Sequence, residues 1–303
     1  MKKILLKGAI TYFLILLMAS ICHAQSVKDA GQLRVIGTQL SDQRGNAIAL
    51  HGASLGWSCF HPRFYTEGTV KWLKKDWNCT IIRAAMGVEP KKGYLEDKHT
   101  SEALITAVVD AAIKADLYVI IDWHSHNIRT EGAVDFFDRM SKKYNKYPHV
   151  IYEIFNEPER IEWSEVKAYS EKLIKTIRTN DPDNIILVGC PHWDQDIDKV
   201  AADPIKNVTN VMYTMHFYAG THKKWLRDRT DEAMQKGIPN VYSAVITDKD
   251  DDDIVFNISN NVQSSSVLDF KTHSQEHPNV FYIDKINLKS ITIDTFFERN
   301  NID

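Results

Sequence analysis

The stretch Ile154-Phe155-Asn156-Glu157-Pro158 puts a carboxylic acid directly after an apolar run, flanked by an amide and a proline. A carboxyl held near low-dielectric walls has its pKa raised, and is then protonated when it meets a leaving oxygen. That suits a general acid. Taken alone, Asn-Glu-Pro is a common tripeptide and reads equally well as the start of a loop. Its company matters more: Arg83, Asp122 with His124, and His216 with Tyr218 also stand at the ends of apolar runs. Two metal-like patterns lack a needed member. Asp194-Gln195-Asp196-Ile197-Asp198 begins like a calcium loop, but Lys199 stands where the turn glycine belongs and no Glu closes the loop. His273, Glu276 and His277 do not form H-E-x-x-H, and Pro278 follows at once. No metal and no cofactor are therefore expected.

These groups need elements to position them. Short apolar, β-branched runs at 47–53, 80–85, 117–122, 150–155, 184–188 and 210–216 predict strands buried on both faces. Ala133, Phe136, Phe137, Met140 and Tyr144 keep helical spacing, as do Val166, Tyr169, Leu173 and Ile177. A further helix is expected over 223–236, stopped by Gly237 and Pro239. Strand–helix alternation of this kind means an α/β fold with a parallel sheet, open or closed. No G-x-G-x-x-G or G-x-x-x-x-G-K-[ST] follows any strand, so a nucleotide-binding open sheet loses support. Polar residues at the C-terminal ends of several different strands favour a (β/α)8 TIM barrel, which assembles its site there. An open sheet gathers its chemistry at one switch point.

The bulk numbers agree with one large globular unit. The 303 residues are 44% hydrophobic and 25% charged, enough for a full core. A formal net charge of −3 gives no reason to expect nucleic acid or a membrane surface as partner. Seven Trp and twelve Tyr fit a sugar-binding groove, though core packing accounts for most such rings. Lys2, Lys3 and Lys7, the apolar stretch 12–19 and Ala24 predict a secretory signal peptide over 1–24, too short in its apolar part to span a membrane. A secreted, extracellular, monomeric single domain over 25–303 is expected. Beyond the signal, Cys59, Cys79 and Cys190 allow at most one disulfide. Asn78, Asn207 and Asn257 fit the glycosylation pattern, which matters only in a glycosylating host.

Six stretches together resemble glycoside hydrolase family 5, especially its bacterial-type endoglucanases. They are Ser54–Trp57, Ile82–Val88, Val119–His124, Asn156–Pro158, Trp193–Asp196 and Met215–Ala219, in family order over about 30–240. The resemblance implies a β-1,4-linked polysaccharide or oligosaccharide as substrate. It also implies roles. Glu157 would be the acid/base, and Asn156 would bind the 2-hydroxyl of the sugar at the cleavage point. Arg83 would hold a nucleophilic carboxylate ionised, and His124 would contact the same sugar. His216 and Tyr218 would support the nucleophile side, and Trp57 and Trp193 would be sugar platforms. Arg83 in a structural ion pair, His124 as a core histidine and both Trp as packing are the bland alternatives. The same fold also serves mannanases and xyloglucanases, since subsite contacts decide the sugar.

The pattern breaks after residue 240. A retaining glycosidase needs a second carboxylate roughly 5–5.5 Å from the first. The resemblance places it shortly after Gly237-Ile238-Pro239, on Ala244, with Val245 and Ile246 where Trp-Gly is expected. No Trp follows Trp225, and Asp248 to Asp253 is a charge run typical of a solvated loop. Beyond it only a strand at 279–284 and a helix at 291–298 suggest themselves, so the last strands are expected to be atypical or incomplete. A changed exon or reading frame beyond 240, a glucan-binding pseudoenzyme, or a substitute nucleophile at Asp248 or Asp250 are the competing explanations. The first two predict weak or no cellulose hydrolysis, because catalytic groups that act as a unit fail together.

Overall fold

The computed structural model describes residues 26–48, 50–218, 222, 224–245 and 257–258, with backbone alone at 218, 241–245 and 257–258. The expected signal segment 1–24, Asp248, Asp250, and the strand and helix expected near 279–284 and 291–298 lie outside the described residues.

A hairpin of β1 (Arg34–Ile36) and β2 (Gln39–Ser41) precedes the main sheet. Then follow β3 (Leu50–Trp57), β4 (Ile81–Gly87), β5 (Tyr118–His124), β6 (Val150–Glu153), β7 (Ile186–Val188), β8 (Val211–Tyr218) and β9 (Asn240–Val245). These seven are parallel and adjacent in chain order. The short strand β10 (Asn257–Ile258) pairs with β3 in the antiparallel sense, where an eighth parallel strand would complete a regular barrel. The expectation of an atypical end is met in this form. Helices Glu67–Trp77, Lys98–Lys114, Thr130–Tyr144, Trp163–Asn180 and Lys224–Gln235 fill crossovers between strands. The first two went unremarked in the sequence. The others match the predicted spans within a few residues.

The helices start and stop for local reasons. Thr66 Oγ1 accepts from Thr69 N at the start of Glu67–Trp77, and Asn78 ends that helix in the left-handed region at φ 53°. Asp97 caps Lys98–Lys114 in the same way through Thr100 N. Both strand faces are buried, but against different things. Ile82, Val119, Ile121, Trp123, Tyr152 and Val188 pack outward under the helices with Val109, Phe137 and Leu173. Ile120, Ile151, Leu187 and Met212 form an inner apolar layer near the strand starts. Each such side chain contributes ~1.5–3 kcal/mol by leaving water.

The period-2 alternation then carries the inward positions from apolar to polar. Ile81 is followed by Arg83, Ile120 by Asp122 and His124, Ile151 by Glu153, and Met212 by Thr214 and His216. The apolar floor and the polar mouth are successive turns of one pattern. Gly52 lets β3 approach β4 here, because a Cβ would stand 1.7 Å from the carbonyl oxygen of Ile81.

Candidate active site

Arg83 sits at the centre of the polar mouth, 2% exposed. Its Nε donates to Glu153 Oε2 at 2.7 Å and its Nη2 to Glu153 Oε1 at 2.7 Å, a two-pronged grip. Nη2 also donates to Asn156 Oδ1 at 2.8 Å and lies 2.7 Å from Asp122 Oδ2. One guanidinium thus ties together β4, β5 and β6. Burial pushes the carboxyls of Asp122 and Glu153 up, against the pull of Arg83, and Asp122 reaches about 7. Asp122 Oδ2 also meets His124 Nδ1 at 2.5 Å. Burial, then the Arg83 charge, hold the His124 imidazole well below its ordinary pKa, so it is neutral and Nδ1–H is the donor. Its Nε2 is then an acceptor. Trp57 stands edge-on to this ring, with centroids 4.1 Å apart.

Glu157 occupies the opposite side. Its Oε1 accepts from His216 Nδ1 at 2.6 Å, and His126 Nδ1 lies 3.9 Å from Oε2. Burial would raise this carboxyl, but the hydrogen bond and the charge of His216 lead the effects that outweigh it and bring the pKa down to about 2. The sequence expectation of a raised pKa is therefore corrected: imidazoles, not bare apolar walls, surround Glu157. The same pairing works in reverse on His216. Burial opposes its charge, yet Asp194 and Glu157 raise its pKa to about 9. The couple is a carboxylate–imidazolium pair at neutral pH.

Asp194 is fully buried and lies 3.3 Å from His216 Nε2 by its Oδ2. It stands in a turn in which His192, Trp193 and Asp194 all adopt positive φ, 57°, 53° and 60°. Three successive left-handed residues without glycine cost roughly 1–2 kcal/mol each. The turn is docked by His192 N and Trp193 N on the carbonyls of Glu159 and Pro158, at 3.0 Å each. Asp194 then accepts from Cys190 N at 2.5 Å and from Thr214 Oγ1 at 2.7 Å.

Of the residues singled out in the sequence, Arg83, Asn156, His124, Glu157 and His216 converge on this mouth, and Trp57 flanks it. Trp193 is half-buried beside the Glu157 loop, with a ring contact to His192. Tyr218 ends β8, two residues beyond His216. Ala244 lies on β9 in register with Phe217, and Ser243 with His216. The six residues of β9, Asn-Val-Tyr-Ser-Ala-Val, include no carboxylate. Sequence reading missed Glu153 and Asp194. A Glu inside an apolar strand, in phase with Ile151, signals a buried partner and could have been found. Asp194 was weighed as a calcium ligand and stood in the family stretch Trp193–Asp196 without a role of its own, and its contacts belong to a turn no spacing rule describes. Cys59, Cys79 and Cys190 are free thiols.

A parallel-stranded α/β barrel with its charged and aromatic groups gathered at the C-terminal strand ends is the layout of a barrel enzyme. Residues 41–267 match the model of the cellulases, glycosyl hydrolase family 5, and the chain belongs to that family. It is 49% identical over 199 residues to Endoglucanase Z of Dickeya dadantii, covering 63% of this chain and 46% of that one. It is 41% identical over 223 residues to an endoglucanase of Clostridium saccharobutylicum, covering 71% and 49%. The chain thus spans about half the length of these curated relatives. Among solved structures, the cellulase Cel5C_n superposes with a TM-score of 0.71 at 39% identity, covering 76% of this chain and 75% of that one. The catalytic domain of Thermobifida fusca endoglucanase Cel5A gives 0.71 at 28% identity, covering 83% and 84%. A variant of that domain was solved in complex with cellotetraose.

Proposed function

We propose that this chain is a secreted member of the endo-β-1,4-glucanase lineage whose cleft binds cellulose-type glucan but hydrolyses it poorly or not at all. One observation carries the reading: β9, the strand beside His216, offers no carboxylate to act as nucleophile. The rest of the cleft is equipped to hold a sugar. Arg83 fixes Asn156 with its amide oxygen inward, which turns the amide NH2 outward as a donor for a hydroxyl. Neutral His124 offers an acceptor, and Trp57 a ring face. Glu157 serves as acid/base, and its ionised resting state makes it a ready base for water but a poor acid.

In a retaining mechanism the first step needs a nucleophile on one face and a proton donor on the other. Here β9 supplies no such nucleophile, and the proton donor must take its proton from His216 or from solvent. Titration calorimetry with cellohexaose, paired with a reducing-sugar assay on carboxymethyl-cellulose, tests the proposal. Binding with no turnover above the Glu157→Gln background is expected. Turnover that Glu157→Gln abolishes would overturn the impaired reading. Absence of binding would overturn the glucan reading.

A further inference from the structure

We infer that Asp194 is a positioning residue that sets the protonation of the acid/base: by standing behind His216, it keeps that imidazole doubly protonated and so keeps Glu157 ionised. The three groups lie in a row, with Glu157 Oε1 2.6 Å from Nδ1 of His216 and Asp194 Oδ2 3.3 Å from Nε2. An imidazole between two carboxylates is held in its cationic form, because each carboxylate lowers the energy of that charge; burial raises the Asp194 carboxyl well above its ordinary value, and the His216 charge is the first group that pulls it back. Every contact of Asp194 serves to aim it. The left-handed turn at 192–194 delivers the side chain inward. Thr214 Oγ1, on the same strand as His216, and Cys190 N occupy both carboxylate oxygens. A strained turn is retained where the surrounding structure over-determines it, and the residue it aims is the natural place to seek its use.

Of the groups that favour the His216 imidazolium, Asp194 comes first and Glu157 second. Arg83 on β4 opposes the imidazolium, while Asp122 on β5 and Glu153 on β6 feel its charge and are themselves gripped by Arg83. His126 Nδ1 lies 3.9 Å from Glu157 Oε2, and His124 Nδ1 is held by Asp122. Strand β9 brings Ser243 into register with His216 and no charged residue. Glu157 alone would share one proton with His216. With Asp194 behind it, the proton stays on the imidazole.

The inference deepens the reading of Glu157 given above, but its readout is proton affinity rather than turnover or glucan binding. Either can therefore fail without the other. In the full chain with 15N-labelled histidine, His216 followed by NMR should keep both ring protons past pH 8. A midpoint at or below about 6.5, the ordinary histidine value, would overturn the inference without any variant. Asp194→Asn, which keeps the hydrogen-bonding shape, should lower the His216 midpoint by at least one pH unit, tenfold in proton affinity. Thr214→Val, which removes a contact to Asp194 but not its charge, should shift it much less. An Asp194→Asn chain with native circular dichroism and an unmoved midpoint would reduce Asp194 to a clamp for its turn.

Discussion

A carboxylate among imidazoles behaves differently from one against hydrocarbon, and Glu157 belongs to the first kind. Its depressed pKa contributes stability that is complete above about 4.5 and is lost as pH falls towards about 2. His216 has the opposite sign. Its contribution is complete below about 6.5 and is lost as pH rises through about 9. The two describe one ion pair seen from either end, so they do not add. Thermal unfolding of the wild type should therefore weaken at both pH extremes through this pair. In Glu157→Gln the acid-side dependence between about 4.5 and 2 should flatten, and calorimetric Tm against pH reads it. Arg83 shows how little room such a centre leaves. Arg83→Met would strand Asp122 and Glu153 as buried, uncompensated acids, a loss of ~3–5 kcal/mol. Arg83→Lys should recover only part of that, because an ammonium cannot reproduce the two-pronged contact with Glu153. Urea unfolding of both variants measures the difference.

Strands and turns decide where those side chains stand. The inward positions of β4, β5, β6 and β8 change from apolar to polar within the strands, at Arg83, Asp122, Glu153 and Thr214, so the mouth is built on the rigid part of the sheet. Strand β3 must come close to β4 for Ser54 to stand in register with Arg83. Gly52→Ala should therefore cost ~1–3 kcal/mol or more, because its methyl would meet backbone that cannot move aside. Its urea midpoint should drop with little change in slope. The turn after β7 is the other decisive element: it spends backbone strain to place Asp194 and rests on the carbonyls of the Glu157 loop.

At the scale of the whole molecule, the parallel run β3 to β9 gives way to the antiparallel β10 in the part of the chain that departs from the expected motifs, though the family model matches through residue 267. Ala244 is one departure among several from the expected pattern, since Val245 and Ile246 stand where Trp-Gly was expected and no Trp follows Trp225. Ala244→Glu alone should not restore turnover of carboxymethyl-cellulose. A lone carboxylate needs neighbours to hold it roughly 5–5.5 Å from Glu157. Turnover in that variant, abolished again by adding Glu157→Gln, would show the rest of the cleft to be intact. Transcript sequence across residue 240 separates a changed reading frame from an inherited loss.

The barrel class, the strand order and the meeting of Arg83, Asn156, Glu157, His124 and His216 were legible in the sequence. Apolar runs of fixed length and polar residues at their ends are local patterns, and a parallel barrel brings all such ends to one mouth. The sequence also shows Ala244 where the family resemblance implies a nucleophile, shortly after Gly237-Ile238-Pro239. Only the tertiary structure decided the direction of the Glu157 pKa. That depends on which neighbours come within 4 Å, and His216, 59 residues away in sequence, is the one that counts. It also decided the partners of Arg83, since Glu153 and Asp122 look like single strand residues until β4, β5 and β6 stand side by side. Asp194 was the least legible. Its place follows from three left-handed residues in a row, a conformation no local preference favours and only the packed turn can hold.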